Sequence, residues 1–150
     1  MKGYPLLLPL LILAFCLFNA REIFNAWFYS PKESLTWLAF LLWATPLFYR
    51  FPQLETNPYL LGCALLLTFL GLLASFNTLH YFALAFALAS FLPWRIAELL
   101  WIPAAVAWMP AGGWLASHLF PQWAVLLKIT LAFLAGALMT FSLINHRRSP

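Results

Sequence analysis

The chain has 150 residues, of which 65% are hydrophobic and 8% charged, and it carries a net charge of +4. Soluble domains carry about 25% charged residues, and a globule of this size could not wet its surface with so few, so a soluble domain is excluded and lipid is the expected solvent. The basic residues stand singly between apolar runs or gather at the C-terminus, which argues against a nucleic-acid partner and suits topology signals.

Apolar runs separated by polar or proline-bearing breaks predict about six membrane spans of about 20 residues each. The first run, 5–20, follows a lysine as a signal peptide does, but Phe18 occupies one of the small-residue positions that cleavage before Arg21 needs. Phe15 is likewise too large to precede a lipoprotein-type cleavage at Cys16, so the run is expected to stay as an uncleaved helix. The second, 34–49, is preceded by SPKES, with a Ser30-Pro31 start signal and charges for the first turn. The third, 58–76, follows a polar stretch at 53–57, and the fourth, 78–92, is separated from it by little more than Asn77. The fifth, 94–118, is interrupted by Pro103, Pro110 and the pair Gly112-Gly113, and the sixth covers 122–145.

Charge orients these runs. With six spans and the first residue cytoplasmic, Lys2, Arg50, Arg95, Arg147 and Arg148 fall inside, and Arg21 and Lys32 fall outside. Inner loops are expected to carry that excess. Lys128 falls within the sixth run, near enough its outer end to snorkel. A re-entrant fifth run would put the basic tail HRRSP outside and cancel the bias, so both termini are expected in the cytoplasm. Tyr49, Tyr59 and Trp94 would line the inner interface, and Trp27, Tyr29, Trp37, Tyr81, Trp114 and Trp123 the outer one.

Arg95 and Glu98 stand just after Pro93 at the cytoplasmic start of the fifth run, three residues apart on a helix, and are expected to pair. Glu98 there complements the helix dipole. This marks a topology anchor first, and an intramembrane charge site second. Trp94, Trp101 and Trp108 recur every seven residues and share a helix face, read as a lipid or packing face. Small residues four apart, Ala132, Gly136 and Thr140, form a helix-packing seam on the sixth run, and Ala83 with Ala87 and Ala85 with Ala89 do so on the fourth.

Chemistry-bearing residues are few. Cys16, His80 and His118 fall near the outer face together with Asn25, Asn77, Ser117 and Gln122. A histidine beside Cys16 would keep its thiol ionised for attack, and two histidines on neighbouring helices could hold haem or a metal. Both histidines sit at the ends of apolar runs, where the simpler reading is a polar interfacial residue. The chain has no aspartate, no Gly-rich phosphate loop, no HExxH and no CxxC. No metal site and no cofactor are expected, and both cysteines, Cys16 and Cys63, read as packing residues.

The segments NPYLLGCALLLTFLGLLASFNTLHYFALAFALASFLP (57–93) and WIPAAVAWMPAGGWLASHLFP (101–121) resemble the early membrane helices of the exosortase/archaeosortase family. The likeness lies in the helix rhythm and a Trp-Met-Pro-small-Gly-Trp turn. That family comprises multi-spanning membrane enzymes thought to cleave and transfer C-terminal sorting signals with a cysteine, an arginine and a histidine. Their cysteine sits in a Glu-x-Cys-Ser-Gly type motif, whereas the contexts here are AFCLF and LGCAL, so no catalytic residue carries over. The resemblance therefore implies a non-catalytic membrane portion or accessory subunit.

The expected fold is all-α: a polytopic transmembrane bundle of about six spans, the fifth broken by Pro and Gly, in one integral membrane domain. Its expected setting is a bacterial inner membrane, with the lipid bilayer and another membrane protein, or a second copy, as partners and no nucleic acid. The expected role is that of an accessory or structural membrane subunit. An exosortase-like thiol peptidase acting through Cys16, a haem- or quinone-linked subunit, and a small-molecule transporter using Arg95 and Glu98 stand as alternatives.

Overall fold

The computed structural model describes residues 6–30, 33, 35–50, 56–93 and 96–148. Among the described residues every regular element is helical. In chain order these are α1 (Leu7–Asn19), α2 (Glu22–Tyr29), α3 (Thr36–Trp43), α4 (Thr45–Arg50), α5 (Pro58–Ala74), α6 (Asn77–Ala89), α7 (Glu98–Trp101), α8 (Pro110–Leu119) and α9 (Ala124–Arg148). A 3-10 segment, Pro103–Trp108, joins α7 to α8.

The stretch after Arg21, which lies between the first two apolar runs, forms helix α2. The second apolar run is two helices, because Pro46 has no N–H to give the Leu42 carbonyl and its ring crowds that turn. The fifth run breaks where its prolines stand. Met109 is extended (φ −88°, ψ 149°) before Pro110, as a residue preceding proline prefers, and the chain turns by 80° there. By length and composition, Ala124–Asn145 of α9 is long and apolar enough to cross a membrane. Two more candidates arise if α1 with α2, and α7 through α8, each count as one broken span. The described helices thus supply one to three such spans against the six expected. Lys2, Lys32, Trp94 and Arg95 lie outside the described residues.

The chain divides into two compact units, residues 1–22 with 52–93 and residues 23–51 with 94–150. In the first, α1 packs on both α5 and α6. Asn57 caps α5 by accepting from the Tyr59 N–H at 3.0 Å, with Pro58 in the first helical position, where its missing N–H costs nothing. Ser75 ends α5 in the left-handed conformation (φ 52°), and the Phe76 N–H returns to the Gly71 carbonyl, which leaves just two residues before α6. The Asn57 N–H donates to the Ser90 carbonyl at 2.7 Å and ties the far end of the hairpin. Ala83, Ala85, Ala87 and Ala89 are fully buried along α6. With no side chain beyond Cβ, they let neighbouring backbones come close. Tyr81, expected at the outer interface, is buried with them.

In the second unit α9 packs against α3, α4, α7, α8 and the 3-10 segment. Its core is aromatic. The Trp43 and Trp101 rings stack at 4.3 Å, and each indole N–H donates to the other residue's backbone carbonyl, at 2.7 and 2.8 Å. Trp27, expected at an interface, is buried and donates to the Trp108 carbonyl at 3.1 Å. Trp101 and Trp108 are both core residues on either side of Pro103, so the seven-residue spacing marks burial and not a lipid-facing stripe. The Leu42 carbonyl that Pro46 leaves free accepts from Thr45 Oγ1 at 2.7 Å, and the Gly136 Cα of α9 lies directly against it.

That approach has a testable consequence. A Cβ at Gly136 would overlap the Leu42 carbonyl oxygen, a backbone atom that cannot swing aside, whereas a Cβ at Gly62 on α5 would meet nothing. Gly136→Ala is expected to destabilise the protein by about 1–3 kcal/mol, as overpacking does. Gly62→Ala should be neutral or slightly stabilising, since alanine has the better helix propensity. Thermal unfolding of the two variants in the same detergent checks the contrast.

Candidate functional site

The second unit buries an ion pair. After α2, the Glu33 N–H donates to the Ser30 carbonyl at 3.0 Å. The Glu33 side chain is buried, 6% exposed. Lys128, in the second turn of α9, is also 6% exposed, and its Nζ lies 2.6 Å from Glu33 Oε2. Thr36, the first residue of α3, closes a triangle: its hydroxyl donates to Glu33 Oε2 at 2.5 Å and accepts from Lys128 Nζ at 2.6 Å.

Electrostatics explains the arrangement. A cation near the start of α9 opposes that helix's dipole, and an anion there complements it. Glu33 supplies the anion next to Lys128, beside the first turn of α3 and against Gly113 in the second turn of α8. Gly113 has to be small, because a Cβ would overlap Glu33 Oε1. Two buried charges survive only when paired and hydrogen-bonded, and this triangle meets both conditions.

The pair is sealed on one side and open on the other. Towards α3, Leu35, Thr36, Val125, Lys128 and Ile129 enclose a crevice with no room for a water molecule. Towards α8, Lys128 lines a cavity of about 450 Å³, together with Gly113, Ser117, His118, Pro121, Ala124 and Val125. His118 packs against Trp114 with the ring planes tilted by 37° and the centroids 4.3 Å apart, and its Nδ1 lies 2.8 Å from the Trp114 carbonyl. A carbonyl only accepts, so the Nδ1 atom is the donor in this contact. The Ser117 hydroxyl donates to the same carbonyl at 2.9 Å.

The residues singled out from the sequence are dispersed. Cys16 and His80 belong to the first unit and His118 to the second. The single proton of the Thr68 hydroxyl goes to the Ala64 carbonyl at 2.9 Å, so the 3.4 Å contact between Cys16 Sγ and Thr68 Oγ1 is an S–H donating to oxygen. The thiol is thus engaged with a threonine and not with an imidazole. His80 instead packs its ring on Gly71, where a Cβ would come within 2.7 Å of it, and its buried Nδ1 has no partner. Among the described residues no three His, Cys, Asp or Glu side chains converge as a metal site would require. Glu98 is fully buried at the start of α7, rather than at a surface, and Arg95 lies outside the described residues. On α9, Ala132 is fully buried, Gly136 meets Leu42, and Thr140 donates to the Gly136 carbonyl at 2.8 Å.

Sequence reasoning missed the Glu33–Lys128 pair. Its signal was a lone lysine inside an apolar run, which requires a counter-ion, in a chain with only four carboxylates. The chain matches no protein-family model, no curated protein and no solved structure.

Breaking one half of the pair strands the other charge. Lys128→Met alone is expected to cost about 3–5 kcal/mol, and Glu33→Leu with Lys128→Met to recover most of that loss. A double-mutant cycle of unfolding free energies in detergent measures the coupling.

Proposed function

We propose that the chain is a multi-spanning helical membrane protein that works as a non-catalytic membrane subunit, packed against another membrane protein or a second copy of itself. The observation that carries this reading is an apolar exterior over a core that holds polar as well as apolar side chains. Glu33, Thr36, Thr68, His80, Ser90, Glu98 and Lys128 are buried, while Leu8, Leu66, Leu73, Leu99, Phe133, Leu138 and Phe141 face outward. Water would reverse that order, and a hydrocarbon solvent favours it. Six crossings with both termini cytoplasmic remain the topology that the basic residues favour, with α7 through α8 as the broken fifth crossing. The same bias and the short loops suit a bacterial inner membrane.

The non-catalytic part of the proposal draws on Cys16. Its thiol is buried and hydrogen-bonded to Thr68, a setting suited to packing and not to nucleophilic attack. An accessory role also fits the likeness of 57–93 and 101–121 to exosortase membrane helices without that family's cysteine motif. A partner is supported by the open space above Gly62 on α5, beside the exposed Cys63, where another backbone has room to approach.

Purification of the tagged protein in a gentle detergent tests this reading, with mass spectrometry of what co-purifies and an absorption spectrum of the same sample. A stoichiometric membrane partner or a defined homo-oligomer is expected, with no band in the visible region. A colourless monomer would count against the subunit role, and a Soret band would replace it with a haem-linked one. Labelling of Cys16 by a membrane-impermeant thiol reagent in intact cells would favour the peptidase alternative.

A further inference from the structure

We infer that the apolar groove between α4 and α9 holds an acyl chain of an anionic phospholipid, with its headgroup at the arginine-bearing ends of the two helices. The inference rests on the membrane setting proposed above and not on the subunit role.

Helix direction comes first. Lys128 Nζ donates to the Thr36 hydroxyl at 2.6 Å, and further along both helices Leu42 lies against Gly136, so α3 and α9 run parallel. After a single residue α4 follows α3, and it packs on α9 in its turn. The last residue of α4 is Arg50, and α9 closes with Arg147 and Arg148. Three arginines therefore stand at one end of the second unit, opposite the Glu33–Lys128 pair. Glu98 is the one other carboxylate side chain in this unit, so that end keeps an excess of positive charge whichever group Glu98 meets.

The groove leads to those arginines. Thr45, Phe133, Ala137, Thr140, Phe141 and Ile144 line an open space of about 460 Å³. Phe133, Ala137 and Phe141 are four residues apart and exposed on one face of α9, so a small side chain lies between two large ones. Both threonines spend their protons on backbone carbonyls, Thr45 on Leu42 at 2.7 Å and Thr140 on Gly136 at 2.8 Å. None of these six side chains has a donor left for a polar ligand, and hydrocarbon is what such a wall accommodates. From Phe133 to Ile144 the groove is about 16 Å long at the helical rise. That length matches one leaflet, half of a hydrocarbon core about 30 Å thick. It ends one turn before Arg148, where the headgroup of a lipid lying along α9 would sit.

Charge selects the occupant. Basic residues at the ends of membrane helices attract anionic headgroups. A second copy inserted in the same orientation would bring three more arginines to that end, and like charges would oppose it. An anionic lipid neutralises them instead.

Native mass spectrometry of the full chain in detergent tests the site, with dioleoyl phosphatidylglycerol and dioleoyl phosphatidylcholine as probes. The anionic lipid is expected to bind about tenfold more tightly, the effect of one or two basic residues at a headgroup. Ala137→Trp fills the groove from an exposed position that the fold does not depend on, and is expected to weaken phosphatidylglycerol binding about fivefold or more. Arg147→Gln with Arg148→Gln should remove most of the preference and leave phosphatidylcholine binding as it was. Equal affinity for the two lipids in the parent chain, undiminished binding in Ala137→Trp, or an unchanged preference in the arginine variant would overturn the inference. So would a dimer that Ala137→Trp dissolves, which would give the groove to a second copy. Flotation of the parent chain with phosphatidylcholine liposomes reads the membrane setting separately. A chain that floats but shows no preference loses the lipid site and keeps the setting, and one that does not float loses both.

Discussion

With leucines and phenylalanines turned outward, a buried polar group in this protein has its partner inside the chain or, like His80 Nδ1 and Trp108 Nε1, goes without one. The rest of the structure follows from that constraint. Burying a polar group without a hydrogen bond costs several kcal/mol in an apolar medium, and an unpaired charge costs far more. The indole N–H groups of Trp27, Trp43 and Trp101 therefore end on backbone carbonyls. The Thr68 hydroxyl serves both Ala64 and Cys16, and Lys128 reaches across the second unit to Glu33.

A proline inside a helix sharpens the same constraint, because it removes a donor and leaves a carbonyl without its usual partner. At Pro46 the freed oxygen is that of Leu42. Thr45 supplies the hydrogen bond, and Gly136 offers a bare Cα that lets the carbonyl lie against α9. Pro110, the first residue of α8, frees no carbonyl: the Val106 oxygen keeps its 3-10 bond from the Met109 N–H at 3.1 Å, with the Gly112 Cα against it. At both carbonyls a glycine makes the room, and at Leu42 a proline exposes the oxygen. The second glycine of the PAGGW segment does the same for the Glu33 carboxylate. A break in one helix is thereby coupled to a close contact with another chain segment.

Local signals in the sequence read well against this structure. The Asn57-Pro58 cap places the start of α5, Asn77 marks the turn into α6, and Pro103 and Pro110 break the fifth run where they stand. The small residues Ala132 and Gly136 were visible as a pattern, although not what they would face. Long-range pairings were not legible. Glu33 and Lys128 are 95 positions apart, and no periodicity connects SPKES with the start of α9. Glu33 looked like a helix-start charge and Lys128 like a snorkelling anchor, because each reading needs just its own neighbours. The tryptophan spacing misled for the same reason. A seven-residue repeat implies one face of one helix, but Pro103 ends α7, and Trp101 and Trp108 turn into a core built with Trp43.

Whether the apolar outward face of α9 meets hydrocarbon decides the membrane setting. Spin labels placed singly at Leu134, Leu138 and Phe141, which are exposed along α9, would report it directly in the protein reconstituted into lipid bilayers. Oxygen concentrates in hydrocarbon, and a water-soluble nickel complex stays outside. High collision rates with oxygen and low rates with nickel at all three positions are the result expected of a lipid-facing helix. Free access of nickel to the same three positions would contradict it and return α9 to an aqueous or protein-covered setting.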